Sequence, residues 1–93
     1  MSDTLTRSRT LKLVYFAWVR ERIGLAEETV SLPQTVETIA DLVRWLKTRD
    51  EGYEAAFQNE DVVRAAIDHM HVKPHASIAG AGEIAFFPPM TGG

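Results

Sequence analysis

With 93 residues, 45% hydrophobic and 25% charged, the chain has the size and composition of one ordinary globular domain. Thirteen acids against ten bases leave a formal charge of −3, which argues against a nucleic-acid platform, and no apolar run approaches the ~20 residues of a membrane span. The absence of cysteine excludes disulfides, thiolate metal sites and a cysteine nucleophile together. No signal-peptide pattern opens the chain, so a cytoplasmic location is expected.

Met1 to Thr10 is polar and rich in Ser and Thr, and reads as a flexible N-terminal arm, residues 1–10. Leu11 to Trp18 is dense in aromatic and β-branched residues and predicts a strand. Leu11, Leu13, Tyr15 and Ala17 would face one side and Lys12, Val14, Phe16 and Trp18 the other, an apolar balance that suits a central strand. Val19 to Ala26 reads as a long connection with a helical turn ended by Gly24. Glu28 to Leu32 then alternates, with Val30 and Leu32 inward, as the second arm of a β-hairpin.

The clearest helical pattern runs from Thr35 to Arg49, with Thr35 as its cap, Glu37 in the first turn and Pro33 just outside. Val36, Ile39, Ala40, Val43 and Leu46 form its apolar stripe. Trp45 lies off that stripe, placed to cover the next loop or to meet a partner. Asp50 to Asp61 is acidic, a loop or short helix pinned by Tyr53 and Phe57. Val62 to Asp68 predicts a strand, His69 to Val72 a short one ended by Lys73-Pro74, Ile78 to Gly82 a turn and Glu83 to Phe87 a last strand. One main helix among five strands predicts an α+β domain over residues 11–87, a mixed sheet curled on the helix in the manner of the β-grasp fold.

Few side chains suggest chemistry. His69, His71 and His75 form an H-x-H-x3-H run, yet with no thiolate available they read as surface histidines and no metal is expected. The adjacent acids Glu27-Glu28, Asp50-Glu51 and Glu60-Asp61 diverge rather than converge on a pocket. No nucleophile elbow, phosphate-cradling loop or H-E-x-x-H is present.

The C-terminal residues 88–93 are different. Pro88 and Pro89 cannot donate to a sheet ladder and must end the strand as an extended stub. From Pro88 to Gly93 the chain can reach ~20 Å from the body. Gly92 and Gly93 lack Cβ atoms, so the backbone can enter a narrow channel and present its own α-carboxylate. Phe86 and Phe87 point to opposite faces, one into the core and one to the surface.

The ending E-I-A-F-F-P-P-M-T-G-G resembles the E-V-A-F-F-P-P-V-T-G-G of the MoaD family, sulfur-carrying small subunits of molybdopterin synthase. The stretch L-x-L-V-Y-F-A-W-V-R-E from Leu11 is similar to that family's opening, and Val63 to Asp68 resembles its A-A-V-N segment with Asp68 in place of Asn. The likeness spans Leu11 to Gly93, with Ala81-Gly82-Glu83 departing from the family's G-D-E, so an altered turn is expected there. The resemblance implies a ubiquitin-like β-grasp fold and a role without bound cofactor. An adenylating enzyme similar to MoeB would use ATP on the Gly93 carboxylate, which is ionised at neutral pH with a pKa of ~3.5 and a poor electrophile. A sulfur donor system would then leave a thiocarboxylate on Gly93, and the slim Gly92 would give that terminus access. The large subunit, MoaE, would receive the tail and pass the sulfur to cyclic pyranopterin monophosphate in molybdenum cofactor biosynthesis. Phe86 or Phe87, Pro88, Pro89, Met90 and Thr91, beside the outer face of the first strand, are the expected docking residues, in a heterotetramer of two large and two small subunits. Nucleic acid and membrane are not expected partners. A sulfur carrier for thiamin synthesis or tRNA thiolation, a ubiquitin-like protein modifier joined through Gly93, and a plain interaction module are the alternatives.

Overall fold

The computed structural model describes residues 9–89. The elements are β1 (Arg9–Tyr15), α1 (Ala17–Ile23), β2 (Glu27–Leu32), α2 (Ile39–Lys47), α3 (Glu51–Ala56), a 3-10 turn (Glu60–Val62), β3 (Arg64–Ile67), β4 (Met70–Val72) and β5 (Glu83–Phe87). The strands form one sheet in the order β2-β1-β5-β3-β4. β1 and β5 run parallel and the other neighbours antiparallel, so the sheet is mixed and β1 lies between two partners as its two apolar faces require.

One face of the sheet carries the core. Leu11, Leu13 and Tyr15 of β1, Val30 and Leu32 of β2, Ala65 of β3 and Ile84 and Phe86 of β5 are all buried there. Helix α2 covers them with Ile39, Leu42, Val43 and Leu46, and α3 and its C-cap add Tyr53, Ala56 and Phe57. Trp45 is half-buried against this core, with the Arg49 guanidinium 5.2 Å from its ring.

Several boundaries differ from the sequence expectation. Arg9 and Thr10 belong to β1 rather than to the arm, whose remaining residues, 1–8, lie outside the described residues. The first strand stops at Tyr15, because Ala17 turns to φ 53° and starts α1, which ends at Gly24 in the left-handed conformation with its N–H on Arg20 O. The main helix starts at Ile39, not after Thr35. Pro33 O accepts Val36 N–H in a turn, and Thr38 is extended and bridged to Ser77. Thr38 and Asp41 then form a capping box, Thr38 Oγ1 accepting Asp41 N–H at 3.1 Å and Asp41 Oδ2 accepting Thr38 N–H at 3.3 Å. The first helical N–H groups, of Ile39 and Ala40, are satisfied by Ala76 O and Pro74 O. Likewise Val62 belongs to the 3-10 turn and β3 begins at Arg64.

A carboxylate is built into the core edge. Glu28 pairs in register with Leu13 and so points to the inner face. Its Oε2 accepts the phenols of Tyr15 at 2.7 Å and Tyr53 at 2.6 Å, and its Oε1 takes Arg49 Nη1 at 3.4 Å. This cluster ties β1, β2 and α3 together. Gly52, in the first turn of α3, permits the close approach to α1 that the cluster needs, since a Cβ there would lie 2.8 Å from Arg22 O.

Burial, and then the hydrogen bond to Glu28, raise the pKa of both phenols, that of Tyr53 to about 12 and that of Tyr15 further. Between the unfolded value of 10.0 and about 12 the folded chain binds more protons than the unfolded one. The stabilisation is therefore complete below pH 10 and is lost as pH rises towards 12, so the urea midpoint should fall through that window, and less steeply in Tyr53→Phe. At the helix cap, Thr38→Ala should cost about 1 kcal/mol in urea unfolding while Thr35→Ala changes stability by no more than about 0.3 kcal/mol.

Candidate functional site

Every expected site residue depends on how β5 ends. Its burial alternates, Ile84 and Phe86 inward and Glu83, Ala85 and Phe87 outward. Phe86 is 1% exposed, stacked on Tyr15 with ring centroids 6.3 Å apart and edge-on to Phe57 at 5.0 Å. Phe86 is therefore corrected from a docking residue to a core anchor, since the sheet's parity turns it towards the helices. Phe16 N–H donates to Phe86 O at 3.1 Å and completes the bonding of β5 to the start of α1. Beyond it Pro88 and Pro89, half-buried, have no N–H to offer, and the strand stops. Met90, Thr91, Gly92 and Gly93 lie outside the described residues.

Phe87 takes the opposite direction. It stands on the outer sheet face in register with Arg64 of β3, and its ring meets His71 of β4 at 5.1 Å. Between those strands lies Ala66, whose small side chain leaves room for the two rings to meet. On the other flank Val14 pairs with Ala85, and Phe16, 49% exposed, continues beyond Tyr15. Phe16, Val14, Ala85, Phe87, Pro88 and Pro89 thus make an apolar strip leading to the point where the tail departs. Its polar surroundings are Lys12, joined to Glu27 at 3.7 Å, together with Glu83, Arg64 and His71. The sequence reading foresaw Val14 and Phe16 on this face but placed Trp18 with them. Trp18 instead belongs to α1, packed against the core with Arg22 4.4 Å above its ring. Arg64 and His71 were missed as site residues, because only the β5–β3–β4 register brings them to Phe87.

The start of β5 is fixed by Asp68. At φ 47° it and His69 at φ 75° form the tight β3–β4 turn, both central residues in the left-handed region. The Asp68 carboxylate accepts Gly82 N–H at 3.2 Å and Glu83 N–H at 2.9 Å, and Asp68 N–H donates to Glu83 O at 2.9 Å. The Ala81-Gly82-Glu83 turn is thus held by a side chain acting across the sheet end. His69, His71 and His75 are exposed, and among the described residues no three potential ligands are grouped to hold a metal. The acid pairs diverge as their adjacency requires, Glu27 to Lys12, Glu28 to the tyrosines, Glu60 to Lys47 and Asp50 to the cap of α3. A hollow of about 360 Å³ between α2 and the β3–β4 pair is lined by Ile39, Val63, Ala65, Val72 and Pro74 and by the polar Glu60, Asp61, Arg64, His71 and Lys73, a lining without hydroxyl or thiol nucleophiles.

A mixed five-stranded sheet curled on one main helix, with its middle strand running out through two prolines, defines a ubiquitin-like β-grasp domain. SAMP1 from Haloferax volcanii shares the fold, with a TM-score of 0.67 at 20% identity over 91% of this chain and all of that one. The chain belongs to the ThiS family, which it matches over residues 13–93. It is 34% identical to the molybdopterin synthase sulfur carrier subunit of Escherichia coli K12, over 89% of this chain and 99% of that protein. Its identity to the subunit of the same name from Mycosarcoma maydis is 31%, over 90% of this chain and 94% of that protein. Among the described residues no helix is long and apolar enough to cross a membrane.

The two adjacent phenylalanines should behave oppositely. Phe86→Ala should cost about 3–5 kcal/mol in chemical denaturation, whereas Phe87→Ala should change stability by less than about 1 kcal/mol.

Proposed function

We propose that this chain is the sulfur-carrier subunit of a molybdopterin synthase, acting through the α-carboxylate of Gly93. The observation that carries the reading is how β5 ends. The middle strand ends in a buried Phe86 and an outward Phe87, so the last residues start from an anchored point at the border of an apolar face. The family match, which reaches Gly93, supports the same role.

In this reading an adenylating enzyme similar to MoeB attacks the α-phosphorus of ATP with the Gly93 carboxylate, forming an acyl adenylate and releasing pyrophosphate. A sulfur donor then displaces AMP and leaves a thiocarboxylate. The terminal carboxylate needs that leaving group because it is an anion at neutral pH. The zero cysteine count suits the role, since the carried sulfur is bonded to backbone carbon. Gly92 and Gly93 bring no side chain to obstruct the channel of either enzyme. The large subunit, MoaE, docks on Phe87, Pro88, Pro89, Met90 and Thr91 with the β1 face beside them, and the sulfur passes to cyclic pyranopterin monophosphate. Two transfers complete the dithiolene. The residues that move protons in that step belong to the large subunit, and this chain supplies its terminus and its docking face.

Intact mass measured after incubating the untagged chain with the adenylating enzyme, ATP and a sulfide source should rise by one oxygen-for-sulfur exchange, located in the peptide ending at Gly93. Removing Gly93, or appending residues after it, should abolish that gain and leave the circular dichroism spectrum unchanged. A normal gain in the appended chain would overturn the reading, and covalent adducts on lysines of other proteins would favour a protein modifier.

A further inference from the structure

The outer face is apolar around Phe87 but holds a cation that, among the described residues, is in no ion pair. Arg64 is the register partner of Phe87, at the sheet end where the tail departs, and strand alternation puts its side chain on the outer face while Ala65 enters the core. Lys12, the other strand cation on this face, is joined to Glu27. Among the described residues Arg64 has no carboxylate within ion-pair distance, for the ion pairs there join Lys12 to Glu27, Arg44 to Asp41, Lys47 to Glu60 and Arg49 to Glu28. Arg64 borders the same hollow as Glu60 and Asp61, its near neighbours in sequence, but Glu60 is held by Lys47 at 2.9 Å and Asp61 is not within ion-pair distance of Arg64.

Resting on the docking reading above, we propose that Arg64 sets partner specificity on this face, and that the protein seated on Phe87 offers a carboxylate side chain to it. The physical reason is desolvation. A partner that covers Phe87 also covers the residue in register with it, and a guanidinium removed from water without a counter-charge opposes the association. A carboxylate would turn that cost into recognition, because the planar guanidinium accepts it along two parallel hydrogen bonds and rejects a partner lacking it. Charge complementarity thus selects a protein with an acidic residue inside an otherwise apolar footprint. A polyanionic nucleic acid is disfavoured by Glu83 and Glu27 on the same face and by the chain's charge of −3.

The test is calorimetric titration of the full-length untagged chain, native and variant, with the molybdopterin synthase large subunit of the same organism at fixed pH. Arg64→Glu should weaken binding by about 30-fold or more and Arg64→Leu by about tenfold, while Arg64→Lys, which keeps the charge, should lose less than Arg64→Leu. Native affinity should fall between about 50 and 500 mM salt, and the Arg64→Leu variant should lose most of that dependence. Phe87→Asp separates the two claims. If Phe87→Asp abolishes binding but Arg64→Leu binds as well as or better than the native chain, the socket opposite Arg64 is apolar and the inference is overturned while docking stands. If Phe87→Asp binds normally, or the native chain does not bind, the docking reading falls and the inference with it. Since Arg64 is exposed, unchanged thermal midpoints in its variants exclude misfolding as the cause.

Discussion

The parallel pairing of β1 with β5 is the constraint on which the rest of the molecule depends. It joins Lys12 to Glu83, Leu13 to Ile84, Val14 to Ala85 and Tyr15 to Phe86, so the first and last strands of the domain close against each other. Closing so long a loop costs chain entropy before any contact rewards it. The return comes at one end of the pairing, where the rings of Tyr15, Phe86 and Phe57 meet in the core. With β5 in place, β3 gains its partner and β4 can follow from the turn at Asp68.

The aromatic cluster is supported in turn by a polar one. Phe57 is the C-cap of α3, and α3 is held to the sheet by Tyr53 on Glu28. A carboxylate on the inner face of β2 would be costly without donors, and two phenols and a guanidinium supply them. Removing a phenol would therefore loosen the helix cap that carries Phe57, and with it the wall against which Phe86 sits. The exit of the tail is fixed by residues far from it in sequence, on β2 and α3.

Much of this was legible in the sequence and some was not, for definable reasons. The period-two pattern of Val30 and Leu32 gave their inward face correctly, because burial on one sheet face leaves a direct mark. Gly24 marked the end of α1 because only a left-handed residue closes that helix cleanly. The aromatic run through Trp18 concealed the end of β1, since nothing local announces that Ala17 takes φ 53°. That bend follows from Phe86 O accepting Phe16 N–H across the sheet. The spacing after Pro33 suggested Thr35 as a cap, although Thr38 and Asp41 already held the spacing of a capping box. At the site, the Pro-Pro stub and the outward and inward phenylalanines were readable, but which of the two faced the core was not. That choice is set by register with Tyr15 and Ala65, which are distant in sequence.

The same register explains why the two faces of β5 cannot be varied independently. Side chains alternate with a period of two, so the pairing that sends Phe86 under Tyr15 also sends Phe87 to the outer face. A slip of one residue would exchange the rings, exposing Phe86 and burying Phe87 in a pocket shaped for its neighbour. Asp68 opposes such a slip at the far end of the strand, because its carboxylate takes the N–H groups of Gly82 and Glu83 and no other adjacent pair. The strand is thus held at both ends, by a carboxylate where it begins and by stacked rings where it finishes. The fold thereby gives β5 a single register, and Phe87 and the two prolines after it a single place at the end of the middle strand.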